Sequence, residues 1–197
     1  MSRAWPVNDV DPEAPVGVNA RKVLAVRIAE LYSYEPAVAQ PTWSHELHDM
    51  RIAAKRLRYT LELFETQFGE TGKQQIDRIK QVQEALGVLH DRDVEIEMVG
   101  AELSAAMADE ADRVRADLAS AEPQEMAAIA TSAMRPPPDD VRRGLISLLV
   151  AAHADRQAAY DAFTSLWSTL GEDGMRRDLV TLSMAQRPER LEADTSA

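Results

Sequence analysis

His48, Arg51, Lys55 and Arg58 recur at spacings of 3, 4 and 3 within the stretch HDMRIAAKRLRYTLELF, residues 48–64. On a helix that spacing confines the four side chains to an arc of less than a quarter turn. Guanidinium groups make paired hydrogen bonds to phosphate oxygens and a lysine adds a mobile charge. An imidazole adds a donor that strengthens on protonation, so the row suits a phosphate-bearing ligand. Leu47, Ala54 and Leu61 flank the row on one side, and Ile52, Tyr59 and Leu63 on the other. Cations between two apolar borders suit a groove better than a solvated face. The competing reading pairs these cations with Glu62 and Glu65, and the pattern alone does not separate the two.

Other chemistry has less support. His48 precedes Asp49, His90 precedes Asp91, and His45 lies three residues before His48. A metal-dependent phosphohydrolase could use His48, His90 and Asp91, but isolated helical histidines more often serve structure or contact an anion. Arg156, near His153 and Tyr160, either extends an anion groove or pairs with Asp155 or Asp161, and the pairing is favoured. No nucleophile elbow or phosphate-cradling glycine loop is present. The chain therefore reads as a non-enzyme with no catalytic residue, cofactor or metal ligand.

Composition sets the frame. The 197 residues contain no cysteine, which excludes disulfide scaffolds, thiolate metal sites and cysteine catalysis. A net charge of −11 argues against indiscriminate binding to nucleic acid or an anionic membrane. Yet His48 to Lys80 holds seven Lys or Arg against five Asp or Glu, while residue 101 onward holds ten against seventeen. An anion site would thus be focused within an acidic body. No apolar run is long enough to span a membrane and no secretory leader is evident, so the expected location is the cytoplasm.

The elements that must position the row are helices. Residues 1–16 have no period and read as a disordered arm. Val18–Tyr34 carries Val23, Leu24, Ile28 and Leu31 at helical spacing behind Asn19 as a cap. Pro36 and Pro41 interrupt it. A second helix, capped by Thr42 or Ser44, runs to about Phe68, and Gly69 and Gly72 end it. A third follows, antiparallel to the second, with Ile76, Ile79, Val82, Leu86 and Leu89 as its core and an acidic continuation to about Leu118. Gly87 inside it signals close helix contact or a bend. A proline- and small-residue-rich linker occupies 119–140. Asp139 or Asp140 then caps a long helix whose apolar positions are Val141, Leu145, Leu148, Ala152, Ala159, Phe163, Leu166 and Leu170. Gly171 stops it, Met175 to Met184 forms a short last helix, and 186–197 is a disordered tail. The expected fold is all-α: one antiparallel bundle over residues 17–185, with four main helices plus a short C-terminal helix.

The run His48-Asp49-Met50-Arg51, then Lys55-Arg56-Leu57-Arg58-Tyr59, Leu63-Phe64, Gln83, Leu86-Gly87 and His90-Asp91, resembles the CHAD family, the conserved histidine α-helical domain. The likeness covers residues 45 to 99, with fainter support from Arg21 to Tyr34. It implies a helical bundle with a basic cavity that binds inorganic polyphosphate, sometimes with recruitment to polyphosphate granules. His48, Arg51, Lys55, Arg56 and Arg58 match the family's basic motif, and Arg21, Lys22 and Arg27 match its preceding helix loosely. Arg56 lies off the row, so its assignment comes from the resemblance alone. The family usually carries two repeats and a basic charge, whereas one repeat is legible here in an acidic chain. The legible repeat resembles the family's second half: either the other half has decayed, with residues 101 to 185 supplying only partner helices, or a homodimer completes the arrangement. An adaptor that has lost the polyanion and holds a protein partner is the alternative.

Overall fold

The computed structural model describes residues 3–135 and 137–184, and the tail expected at 186–197 lies outside them. Among the described residues the protein is all-helical, without strands. The helices are α1 (Val16–Tyr32), α2 (Ser44–Leu63), α3 (Glu65–Ser120), α4 (Met126–Met134), α5 (Val141–Glu172) and α6 (Met175–Met184), with a short 3-10 turn at Glu35–Ala39. No helix among the described residues is long and apolar enough to cross a membrane.

The contacts divide the chain into two compact units. The first joins residues up to Val88 with those from Asp161 onward, and the second is Leu89–Tyr160. In the first unit α1 packs on α2 and on α6. Its core is built from Leu24, Ile28 and Leu31 of α1, Leu47, Met50, Leu57 and Leu61 of α2, and Ile79, Val82 and Leu86 of α3, all buried. Phe163 and Leu170 of α5 and Leu179 of α6 are also buried. Two contacts give the direction of α1 against the next segment. Arg56 reaches Glu30, and a side chain at Gly17 would strike Gln67. As the contact moves back along α1 it moves forward along the partner, so the two run antiparallel.

The helix ends differ from the sequence reading at several places: α1 stops at Tyr32, Trp43 precedes α2 with no side-chain cap from Thr42 or Ser44, and α5 runs through Gly171 to Glu172. α1 begins after Pro15 rather than at Asn19, and Asn19 inside it bonds Asp11 instead: its Nδ2 donates to the Asp11 carbonyl at 2.7 Å and its Oδ1 accepts from the Asp11 N–H at 3.1 Å. α2 ends at Leu63 rather than Phe68, because Phe64 leaves helical geometry. The chain turns again at Gly69, whose φ of 59° and ψ of −149° suit glycine alone. A helix, α4, lies within the stretch expected to be linker.

Residues 3–15 form no helix or strand, yet their main chain is fastened to α1. Arg27 donates to the Trp5 carbonyl at 3.0 Å, and Lys22 donates to the Asp9 carbonyl at 2.5 Å. Within the second unit, Arg156 holds Asp93 at 2.5 Å and Arg142 lies 3.7 Å from Glu110. Those two links align α5 antiparallel to α3 there. Asp140 caps α5 by accepting the Arg142 backbone N–H at 2.9 Å.

Candidate functional site

The buried face of α2 comprises Leu47, Asp49, Met50, Ala53, Ala54, Leu57, Thr60 and Leu61. Arg51 and Arg58 stand on one edge of that face, half-buried, and Arg56 stands on the opposite edge. The helical step therefore sends basic residues that are close in sequence toward different neighbours. Lys55 lies outside Arg51 and Arg58 and is exposed. His48, half-buried, begins the row one turn earlier.

Only one border of the row is core. Leu47, Ala54 and Leu61 are buried, whereas Tyr59 is 49% and Leu63 75% exposed. Tyr59 is used from the row itself: the Arg58 guanidinium sits 4.9 Å and the Lys55 ammonium 5.7 Å from its ring centre. Cation–π contact at that range holds both charges beside the ring without neutralising them. Arg58 also lies 3.4 Å from Glu62, the pairing that the competing reading expected. Glu65 is instead near Lys73, at 3.7 Å.

The row faces α3. A methyl group added at Gly87 would stand 3.6 Å from Arg51 Nε, so the guanidinium crosses α3 where that helix has no side chain. Gly87 thus marks a close approach, and the backbone keeps helical φ and ψ through it. Arg51 and Gly87 meet although each is 18 residues from Gly69, so α2 and the part of α3 beyond that turn run antiparallel. The same count sets Lys55 level with Gln83 and Arg58 level with Lys80. Neither Lys80 nor Gln83 was singled out as a site residue from sequence, although Gln83 belongs to the family pattern. The signal for both is their spacing from Gly87 along one face of α3.

Arg21 Nε, Arg51 Nε and Arg58 Nε are buried without a hydrogen-bond partner, and so are Gln75 Oε1 and Gln83 Oε1. Buried polar groups are rarely left so, and each one calls for an explanation. Three of these five atoms are donors on cations that the sequence assigns to an anion site.

The remaining basic residues are engaged elsewhere. Glu30 is fully buried, and its two oxygens are held by Arg27 at 2.5 Å and Arg56 at 2.6 Å. Arg21 donates to the Gly17 carbonyl at 2.6 Å, and Lys22 and Arg27 bond the N-terminal segment. Arg27 and Arg56 therefore neutralise a buried carboxylate inside the fold instead of joining the row on α2. Arg156 pairs with Asp93, where Asp155 or Asp161 was expected. Among the described residues no group of three His, Asp or Glu is arranged to hold a metal ion.

No curated protein and no solved structure matches the chain. The CHAD domain model matches residues 3–100, a span that takes in the N-terminal segment, α1, α2 and the start of α3. The whole α2 row and its opposing positions on α3 lie inside that match, and through residues 3–100 the chain belongs to the CHAD family.

Proposed function

We propose that the first unit binds inorganic polyphosphate or a similar polyanion without catalysis, along the face of α2 that carries Arg51, Lys55 and Arg58. The observation that carries this reading is the set of buried, unpartnered Nε donors on Arg51 and Arg58, with a third on Arg21. A phosphate oxygen supplies the acceptor that each of them lacks. Lys80 and Gln83, level with the row on α3, supply a further charge and a polar contact, and His48 extends the row at its start. Arg27 and Arg56 serve the fold by neutralising Glu30.

This reading sets the site in an antiparallel bundle of four main helices plus the short α6. Binding is multivalent: several charge contacts act together, counterions are released, and terminal phosphates gain little preference. Calorimetric titration with long-chain polyphosphate at two salt concentrations tests it, using wild type and Arg51→Glu/Arg58→Glu. Salt-sensitive binding that the double variant loses is the expected result. Absence of heat from wild type at low salt would remove the proposal.

A further inference from the structure

Val141 and Leu148 belong to the apolar repeat of α5, yet they are 66% and 56% exposed. The residues of α5 that meet α3, Arg142 and Arg156, lie about a quarter turn away round the helix. From Gly144 to Ala152 the helix has a single polar residue, Ser147, so its apolar surface is wider than one neighbouring helix can cover. Within Leu89–Tyr160 only Leu89, Ala152 and Tyr160 are buried among the described residues. The unit thus leaves large apolar side chains in water.

That surface has a shape. Val141, Gly144, Leu145 and Leu148 line an open groove of about 390 Å³, with Asp139, Asp140 and Arg143 at the same site. A Cβ added at Gly144 would meet no atom within 4 Å, so the groove holds an empty seat between Val141 and Leu148. Helical spacing of 3 and 4 across Val141, Gly144 and Leu148 matches a seam that receives a knob from a second helix.

Charge selects the occupant. Leu89–Tyr160 contains seven basic and fourteen acidic residues. Five of the seven arginines, Arg92, Arg113, Arg115, Arg142 and Arg156, already pair with carboxylates of the same unit. The surplus is acidic, and two copies of this unit would repel each other. We propose that this face of α5 docks a basic amphipathic helix from a partner protein. An apolar residue of that helix fills the seat over Gly144, and its flanking Lys or Arg residues meet the surplus carboxylates. Arg143, exposed at the same groove, is a single cation against that surplus. The site is separate from the anion face on α2 and stands without it.

The test titrates the full chain, by fluorescence anisotropy, with a labelled designed helix that has leucines along its seam and lysines on its flanks. The same helix with glutamates on its flanks runs alongside. The lysine form binds and weakens with salt, while the glutamate form does not bind. Gly144→Leu adds helix propensity in open space, so it keeps the fold and fills the seat; it weakens binding about tenfold or more, and Leu148→Gln does likewise. Failure of the lysine helix to bind wild type overturns the proposal. Equal affinity for Gly144→Leu also overturns it, because the contact is then charge alone. A wild-type dimer that Gly144→Leu converts to monomer overturns it in favour of a second copy on this face.

Discussion

Arg56 and Glu30, 26 residues apart in sequence, meet at 2.6 Å with the carboxylate fully buried. Arg27 holds the other oxygen at 2.5 Å, so the single negative charge is matched by two cations and the Trp5 N–H lies 3.3 Å away. Removing one partner of a buried ion pair strands the other. Glu30→Gln is expected to lower unfolding stability by roughly 3 kcal/mol in urea denaturation. Arg56→Gln should cost a similar amount and change polyphosphate affinity less than Arg51→Gln does. If Arg56→Gln loses the polymer at unchanged stability, the residue belongs to the binding face.

Arg51 invites the opposite result. Its Nε is buried without a partner, so the fold bears a cost that binding would relieve. Arg51→Met should leave stability unchanged or raise it by about 1 kcal/mol. The same change should weaken polyphosphate and flatten the salt dependence by about 0.7 logarithmic units per lost contact. Thermal unfolding and titration of one preparation check both halves; a clear loss of stability in Arg51→Met would show that the guanidinium supports the fold.

The turn at Gly69 gives a third test. With φ at 59° and ψ at −149°, and nothing within 4 Å of an added Cβ, any cost of a side chain there is conformational. Gly69→Ala should destabilise by about 1–3 kcal/mol. A chemically prepared chain with D-alanine at that position should recover most of the loss. Equal destabilisation by both enantiomers would point to sterics instead.

Acid should loosen the link between α3 and α6. Arg78 donates to Asp178 at 3.0 Å across 100 residues of chain. Burial works to raise the Asp178 pKa, but hydrogen bonds from Arg177 and Arg78 outweigh it and hold the carboxyl below its ordinary 3.8. A lowered folded value contributes stability that is full above the unfolded pKa and lost as pH falls through the folded one. Asp178→Asn should therefore cost on the order of 1 kcal/mol at neutral pH, and the difference from wild type should vanish in strong acid. A gap that stays constant down to pH about 2 would assign the effect to packing.

Helix content and most core positions were legible because apolar spacing reports burial where a helix has one neighbour. Leu24, Ile28, Leu31, Ile79, Val82 and Leu86 are buried as their period demands. Val141 and Leu148 share that period and are exposed, since periodicity marks a face without saying what covers it. The row Arg51, Lys55 and Arg58 was legible as an arc on α2. Its neighbours on α3 were not, because their placement depends on distance from Gly69, and the sequence left the end of α2 five residues too late. Arg56 looked like part of the motif, and its bond to Glu30 involves a residue on another helix that no local pattern announces. α4 escaped notice because MAAIATSAM buries none of its residues and so lacks an amphipathic signature.

The N-terminal segment is fastened mainly through its own main chain. The atoms that α1 grips are the Trp5 N–H and carbonyl, the Asp9 carbonyl, and the Asp11 N–H and carbonyl. A main chain offers the same groups whatever side chains it bears. Substitutions that keep the segment's path, which holds Asp9 at a φ of 66°, should therefore spare these bonds, provided that Asn19, Lys22, Arg27 and Glu30 stay in place to receive it. The receiving helix carries the side chains that make these bonds, and the segment laid against it answers mainly with its backbone.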